Sequence, residues 1–532
     1  MKKRKINWIQ DFLWNKKNQS LFHRKEKNKK GVKMTEYIPP EMKERYEKAK
    51  RLIENSDDIK IYSHTDCDGI SSGAILSCIL DRLGKKFEIE IVNLDVLENV
   101  PIEHELTIFS DLGSGQPIDK NAKEDSKIIV LDHHPPLRGE DYYKTVDYEY
   151  LEINPYFYGI NGSQEICGGG MCYLLSKEFG YNDLSWIGIL AAIGDIQNGK
   201  TGKLEGLNRS ILKDAKEEGL VNIIENDLSL YGRQSRPLYV ALSYFTDVKI
   251  FANDDEKKRN EALDLLKSLN INTWDEKNDM ALRACDLNQE DKNKLIKALI
   301  LRISQLIPPR YAVHIPKLVM GESYEFAKEE KYTFLRDASE FSTAMNACVR
   351  NERPKVALKL LELTIKRNEY LLSNDLNDMQ DIEGDRAVVL DELEGISKEH
   401  RAYLAQNIQR VGESDAIIQK DNLQYFDGEG IRSNVVGTIA GMILSYGDWR
   451  KPIIAFTQVS EENQDLKISL RCSKLLAYDG VHFGSIIREV AQSLGGNGGG
   501  HDVACGAYIP NEERDNFLDL MNERLEGRLV LD

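Results

Sequence analysis

The sequence predicts an α/β protein: a mostly parallel sheet domain, a helical insertion, and a smaller C-terminal α/β domain. Three observations predict it. Between residue 37 and about residue 220, short apolar runs alternate with longer stretches whose apolar residues recur at helical spacing. From about 220 to 332, charged amphipathic helices take over. From about 374 onward, strand signals return. A chain of 532 residues has room for two to four domains at roughly 100–200 residues each.

The elements follow in order. Pro39-Pro40 opens a charged amphipathic helix over 41–53, proline being well placed at a helix start. Residues 59–63 read as a buried strand and 69–83 as a helix. Further strands are expected at 88–94, 106–110 and 127–131, and helices at 171–179 and 184–193. This alternation argues for a doubly wound sheet, whose ligands sit beyond the carboxyl ends of the strands. The insertion is read from helices at 254–269 and 289–306. In the C-terminal part, strands are expected at 386–390, 451–457 and 465–472, with a helix at 434–444. The resulting division is 1–33, a basic extension; 34–225, the first domain; 226–335, the insertion; 336–375, connecting helices; and 376–532, the C-terminal domain.

The net charge is −16, from 71 Lys+Arg against 87 Asp+Glu. An even negative field would repel nucleic acid and anionic membranes. The charge is not even: residues 1–33 hold twelve Lys/Arg and two acids, a net of +10, so the other 499 residues carry −26. Anions must therefore be met by local basic residues or metal ions. The extension reads either as a disordered tail, with Met34 as an alternative start, or as a basic arm for nucleic acid. Eight cysteines show no CxxC and no zinc-finger spacing, which fits reduced thiols in a cytoplasmic protein. No apolar run reaches the length of a membrane span, and the basic N-terminus lacks the apolar core of a secretory signal.

Acids and imidazoles fall where the strands end. Strand 59–63 runs into His64-Thr65-Asp66-Cys67-Asp68-Gly69, strand 106–110 into Asp111, and strand 127–131 into Asp132-His133-His134. The helix over 184–193 ends at Gly194-Asp195. Taken singly, each Asp is more often a turn or helix cap, and each His a satisfied structural residue. Four such segments converging on one sheet edge are harder to explain that way. Clustered carboxylates repel one another and take up protons unless a cation intervenes. Carboxylate with imidazole and no thiolate suits Mn²⁺, Mg²⁺ or Zn²⁺, and argues against structural Zn²⁺. One carboxylate such as Asp111 suffices to bridge two ions, a common device in phosphoester hydrolysis. Asp132 has the alternative role of orienting an imidazole.

A second cluster is Gly495-Gly496-Asn497-Gly498-Gly499-Gly500-His501, where glycine lets backbone N–H groups approach an anion. It lacks the Lys-Ser/Thr of a nucleotide-binding P-loop, and alone it reads as a flexible turn. Arg471 sits in Ser469-Leu470-Arg471-Cys472-Ser473, suited to bidentate phosphate binding or to an ordinary ion pair. Asn346 and Arg350 form a third patch.

The ordered set HTDCDG, SDLG, LDHH and GD, with GGNGGGH far downstream, resembles the DHH phosphoesterase superfamily, and within it the archaeal type of RecJ-like single-strand exonuclease. The resemblance implies a DHH domain and a DHH-associated C-terminal domain across a cleft. It implies two divalent cations, Mn²⁺ first and Mg²⁺ second, one on His64, Asp66 and Asp111 and the other on Asp68, Asp111, His133 and Asp195. It places Asp132 behind the metals and His134 against the scissile phosphate. Arg471 and His501 would grip a phosphate, beside Gly498, Gly499 and Gly500. Asn346 and Arg350 match an NAxGR element that lines the DNA path, with Val349 standing where that element has glycine. The insertion implies docking to a GINS-type replication complex. The implied activity is exonucleolytic hydrolysis of single-stranded nucleic acid in repair, recombination or replication. Two alternatives remain: a phosphatase for short oligonucleotides or bisphosphorylated nucleosides, and a replisome scaffold.

Overall fold

The computed structural model describes residues 37–245, 248–252, 254–373, 378–413, 416–458 and 465–529. The basic extension therefore lies outside the described residues. Five parallel strands form the first sheet: β1 (Asp58–His64), β2 (Lys86–Val92), β3 (Leu106–Ser110), β4 (Lys127–Leu131) and β5 (Glu149–Ile153), in the order β2-β1-β3-β4-β5. The order reverses between β1 and β3, where open α/β sheets place their ligands. Residues alternate between the faces along each strand. Ile59, Ile61, Ile108, Ile129 and Ile153 face a core shared with the helices Pro40–Glu54, Cys67–Arg82, Gly168–Glu178 and Ser185–Gly194. Tyr62, Phe109, Ile128, Val130 and Tyr150 face a smaller core.

That smaller core departs from a doubly wound sheet. It is closed by Leu97, Val100, Ile102, Leu112 and Ile118, which lie on 3₁₀ and loop segments between β2 and β4. The sequence reading also missed β5. Its Glu149-Tyr150-Leu151-Glu152-Ile153 does not read as an apolar run, yet Glu152 is buried inside it.

The insertion carries its own core, from Leu238 through Leu299 to Leu318, built on helices Asp255–Ser268 and Gln289–Leu306. Leu475 of the C-terminal domain packs into this core. The chain leaves and re-enters through an antiparallel pair, Val221–Leu228 with Met320–Phe326, closed beneath by a buried charge network. In that network Arg233 pairs with Asp227 and Glu325, and Lys292 pairs with Asp227.

The strand expected at 386–390 does not exist. Those residues lie inside a 35-residue helix, Met379–Glu413. Ala387-Val388-Val389-Leu390 has β propensity, but Val388 points to solvent, 71% exposed, and no neighbouring strand is there to pair. Arg386 is held by a double hydrogen bond to Glu329 instead. The helix buries Leu393 and Ile396 in the first domain's core, and Leu404 and Val411 in the C-terminal domain.

The C-terminal sheet has six strands, in the order Ile418–Gln419, Gln424–Asp427, Ile453–Gln458, Asp465–Arg471, Ala504–Pro510 and Asn497–His501. The glycine run is thus no flexible turn. Gly498, Gly499 and Gly500 form an edge strand paired with Ala507, Gly506 and Cys505. A Cβ at Gly498 would meet Ala507 Cβ at 2.9 Å and Gly506 O at 3.0 Å, so the close pairing requires glycine there. All eight cysteines are free thiols, seven of them buried. No described helix is long and apolar enough to cross a membrane.

Candidate metal centre

The carboxyl ends of β1, β3 and β4 deliver the donors, and the helix Ser185–Gly194 adds Asp195 at its C-terminal cap. Three groups of ligand atoms each lie within 4.8 Å of one another: His64, Asp66 and Asp111; Asp68, His133 and Asp195; and Asp111, Asp132, His133 and His134. Asp111 joins the groups. Its Oδ2 lies 3.3 Å from His64 Nδ1, and its Oδ1 lies 3.2 Å from His133 Nε2. Its backbone is left-handed, φ 59°, a strained conformation tolerated by Asp and found at sites where the surroundings enforce it.

Hydrogen bonding sets Asp111 and His64 apart from Asp132. Both Asp111 oxygens and His64 Nδ1 are buried without a hydrogen-bond partner among the described residues. Buried polar atoms left so are costly, and a cation would satisfy them. Asp132 is the opposite case. Its oxygens accept from Ser114 N, His133 N, His134 N and His134 Nδ1, so it orients His134. His133 Nδ1 donates to Gly162 O at 2.8 Å, which turns Nε2 towards Asp111 and Asp68. Gln197 Nε2 holds Asp195 Oδ2 at 2.9 Å. Asp66 Oδ1 caps the helix Cys67–Arg82 through Gly69 N, while Oδ2 lies 3.1 Å from His64.

The electrostatics match a missing positive charge. Burial, then the Asp111 carboxylate, push Asp68 well above the ordinary carboxylate range. Burial opposes protonation of His64 and His133, but the surrounding carboxylates prevail and raise both. Positive charge, whether protons or cations, is therefore favoured in this cluster.

Opposite the carboxylates stand two arginines. Arg350, half-buried at the end of the helix Ala338–Arg350, is pulled down to about 10 by burial and then by Arg471, against the pull of Asp66. Burial lowers Arg471 as well. Gly437 makes room for it: a Cβ there would meet Arg471 Nη2 at 2.4 Å. Neither arginine is within ion-pair distance of a carboxylate among the described residues. Asn346 is otherwise engaged, its Oδ1 accepting from Cys67 N, which ties its helix to the metal loop. The His501 side chain lies outside the described part of the structure, though its backbone closes the edge strand.

Several residues escaped the sequence reading. The Gly168-Gly169 backbone donates to Asp68 Oδ2 and Oδ1 at 2.8 and 2.6 Å, and Gly168 packs directly on Asp111. The signal was the triple glycine opening a helix, which lowers helix propensity and so hid the start. Arg432 and His400 were missed too: burial, then Arg350, Arg432 and Arg401, drive His400 down to about 4.

Family models match the chain in three places: the DHH family N-terminal domain at 58–193, the DHH-CID domain at 230–316 and the DHHA1 domain at 420–527. Uncharacterized protein MJ0831 of Methanocaldococcus jannaschii is 30% identical over 489 residues, 90% of this chain and 96% of that protein. The chain belongs to the DHH family. The fold of this DHH protein is RecJ-like: it matches RecJ from Thermus thermophilus, crystallised with Mn²⁺, at a TM-score of 0.51 and 14% identity. That match covers 93% of this chain but only 56% of the length of RecJ. CDC45 from Entamoeba histolytica matches with the same TM-score and identity, over 91% of this chain and 98% of that one. The acid-imidazole cluster of this DHH protein lies within or just after the segment matched as the DHH domain, and Arg471 within the DHHA1 domain.

Proposed function

We propose that the protein is a metal-dependent phosphodiesterase that removes nucleotides from one end of single-stranded nucleic acid, in cytoplasmic DNA repair, recombination or replication. The observation that supports it most is the pairing of an acid-imidazole cluster with two arginines. Among the described residues, the buried Asp111 carboxylate faces only the imidazoles of His64 and His133, and neither arginine has a carboxylate partner. Anionic substrate and cations together complete that charge balance.

His64, Asp66 and Asp111 would hold one cation, and Asp68, Asp111, His133 and Asp195 the other. Mn²⁺ fits this mixed donor set best, with Mg²⁺ second. When bound, the cations supply Lewis-acid polarisation of the phosphate and a nucleophilic water at neutral pH. The chain does the rest. Asp132 fixes His134 through Nδ1, which leaves Nε2 for a phosphate oxygen. Arg350 and Arg471 offset the extra negative charge of the transition state, His501 serves as a further phosphate ligand, and the edge strand around Gly498, Gly499 and Gly500 borders that side of the site. Asn346 contributes by position, holding the metal loop to the helix that carries Arg350.

The test is Asp111→Ala, which should abolish Mn²⁺-dependent hydrolysis of labelled single strands while leaving the far-ultraviolet circular dichroism unchanged. Near-wild-type hydrolysis would overturn the reading. Blocking each end of DNA and RNA strands in turn reports polarity and sugar preference, and a dinucleotide substrate tests the short-oligonucleotide alternative. A docking role beside catalysis is favoured by the apolar side chains exposed on the insertion, Trp274, Leu306 and Val313. Pull-down of purified GINS subunits by the full chain, lost on Leu306→Asp, tests it.

A further inference from the structure

The cleft holds a cavity of about 370 Å³ that all three domains build. Ile196 comes from the first domain, Lys249 from the insertion, and Leu444, Trp449, Arg471 and Val503 from the C-terminal domain. Its walls are therefore apolar and its charged groups cationic, the two surfaces that a base and a phosphate need.

Two of these residues are set for a ligand. Ile196 follows Asp195 directly and sits in the left-handed region, φ 58°, where a β-branched residue is a rare outlier. Its side chain is 52% exposed, so burial in the core does not explain the strain. Backbone strain of this kind clusters at ligand sites. Trp449 is held edge-on by Tyr311 of the insertion, centroids 5.5 Å apart at 80°, which fixes the indole before any ligand arrives. Tyr478 OH donates to Gly199 O at 2.7 Å and joins the C-terminal domain to the loop after Ile196.

Arg471 lines the cavity and also faces Arg350 and, through it, the acid cluster. A phosphate on Arg471 would thus border the cavity and lie beside Arg350, which itself interacts with Asp66 of the acid cluster. The volume is near the lower end of small-molecule pockets, which run from about 300 to 1,000 Å³, and suits one nucleotide, not two.

We propose that this cavity receives the base and sugar of one nucleotide whose phosphate lies on Arg471, so that a nucleoside monophosphate is the unit bound, and that the insertion forms a wall of the substrate site. The proposal rests on the phosphoesterase reading for its substrate class. Calorimetric titration of the full chain in Mn²⁺ buffer separates the two. dAMP should bind about tenfold more tightly than 2-deoxyribose 5-phosphate, the gain expected from stacking one base. Ile196→Gly, which relieves the strained backbone, should raise the melting temperature and remove most of that preference. Lys249→Ala, an exposed site, should weaken dAMP severalfold without altering stability. Equal binding of dAMP and the sugar phosphate, or an unchanged preference in Ile196→Gly, would overturn the proposal. Base-selective binding by a wild-type protein that hydrolyses no strand would leave the cavity assignment standing and overturn the phosphoesterase reading instead.

Discussion

Gly168→Ala should cripple metal binding although Gly168 offers no side chain to a metal. A Cβ at this position would meet Asp111 Cβ at 2.5 Å, Oδ1 at 2.6 Å and Cγ at 2.8 Å. Ordinary contact begins at 3.4 Å, so the Asp111 carboxylate or the helix start must move by about 1 Å. The helix start is itself anchored, because Gly168 N and Gly169 N both hold Asp68. Displacing it disturbs a second ligand. Substitutions behind metal ligands typically cost about 10–100-fold in affinity, and misplacement by about 1 Å costs on the order of 100-fold in rate. The fold should suffer less, since overpacking costs about 1–3 kcal/mol and Ala for Gly in a helix returns about 1 kcal/mol. Gly170→Ala is the control: its Cβ would meet only apolar side-chain atoms, Ile166 Cγ1 at 2.9 Å and Ile211 Cδ1 at 3.2 Å, and no carboxylate. Mn²⁺ titration of the two variants should show a loss of at least tenfold for Gly168→Ala and little change for Gly170→Ala. Wild-type Mn²⁺ affinity in a folded Gly168→Ala protein would refute the argument that Asp111 is held in place by this contact.

Three further outcomes follow from the same structure. Burial, offset in part by Ser114 and Tyr150 hydroxyls, raises Glu152 to about 7. The folded state therefore holds this proton more tightly than the unfolded chain, and its contribution, on the order of 3 kcal/mol, is full below about pH 4.5 and lost as pH rises through about 7. Urea titrations of Glu152→Gln against wild type should converge near pH 4.5 and diverge by pH 8, with the variant more stable there; parallel profiles would contradict this. Arg350→Ala should weaken single-strand binding equally for all sequences and lower the slope of log K against log salt by about 0.7, the share of one phosphate contact. Arg233→Ala leaves Asp227 and Glu325 without their shared cation in a buried site, a loss of about 3–5 kcal/mol that differential scanning calorimetry should register as a lower melting temperature.

The acid-imidazole cluster was legible because its residues follow strands, and the strand ends fix where polar side chains converge. Asp111, Asp132 and His133 needed only the carboxyl ends of β3 and β4 to be placed. What the sequence hid has physical causes. β5 was obscured by the buried Glu152, whose cost is met by neighbours distant in sequence, Ser114 among them. The helix over Ala387-Val388-Val389-Leu390 was misread because local propensity favours a strand, whereas tertiary packing of Leu393 and Ile396 decides the matter. The glycine run looked free because its pairing partner, Ala504–Pro510, lies after it in the chain. Gly168 was invisible because a residue defined by the absence of a side chain announces nothing until its neighbour is known.

The helix Met379–Glu413 gives the protein a mechanical property. At about 1.5 Å per residue it is a rod of roughly 50 Å, clamped in the domain of the acid-imidazole cluster by Leu393 and Ile396 and in the domain of Arg471 by Leu404 and Val411. The angle of this beam is therefore one of the links that set the distance between the carboxylates and Arg471, beside the Tyr478–Gly199 hydrogen bond and the packing of Leu475 into the insertion. A tilt of about 5° over the roughly 27 Å between Leu393 and Val411 displaces one clamp relative to the other by roughly 2 Å. Substitutions under the beam, far from every ligand, can thus retune the gauge of the cleft while leaving the chemistry at either jaw untouched.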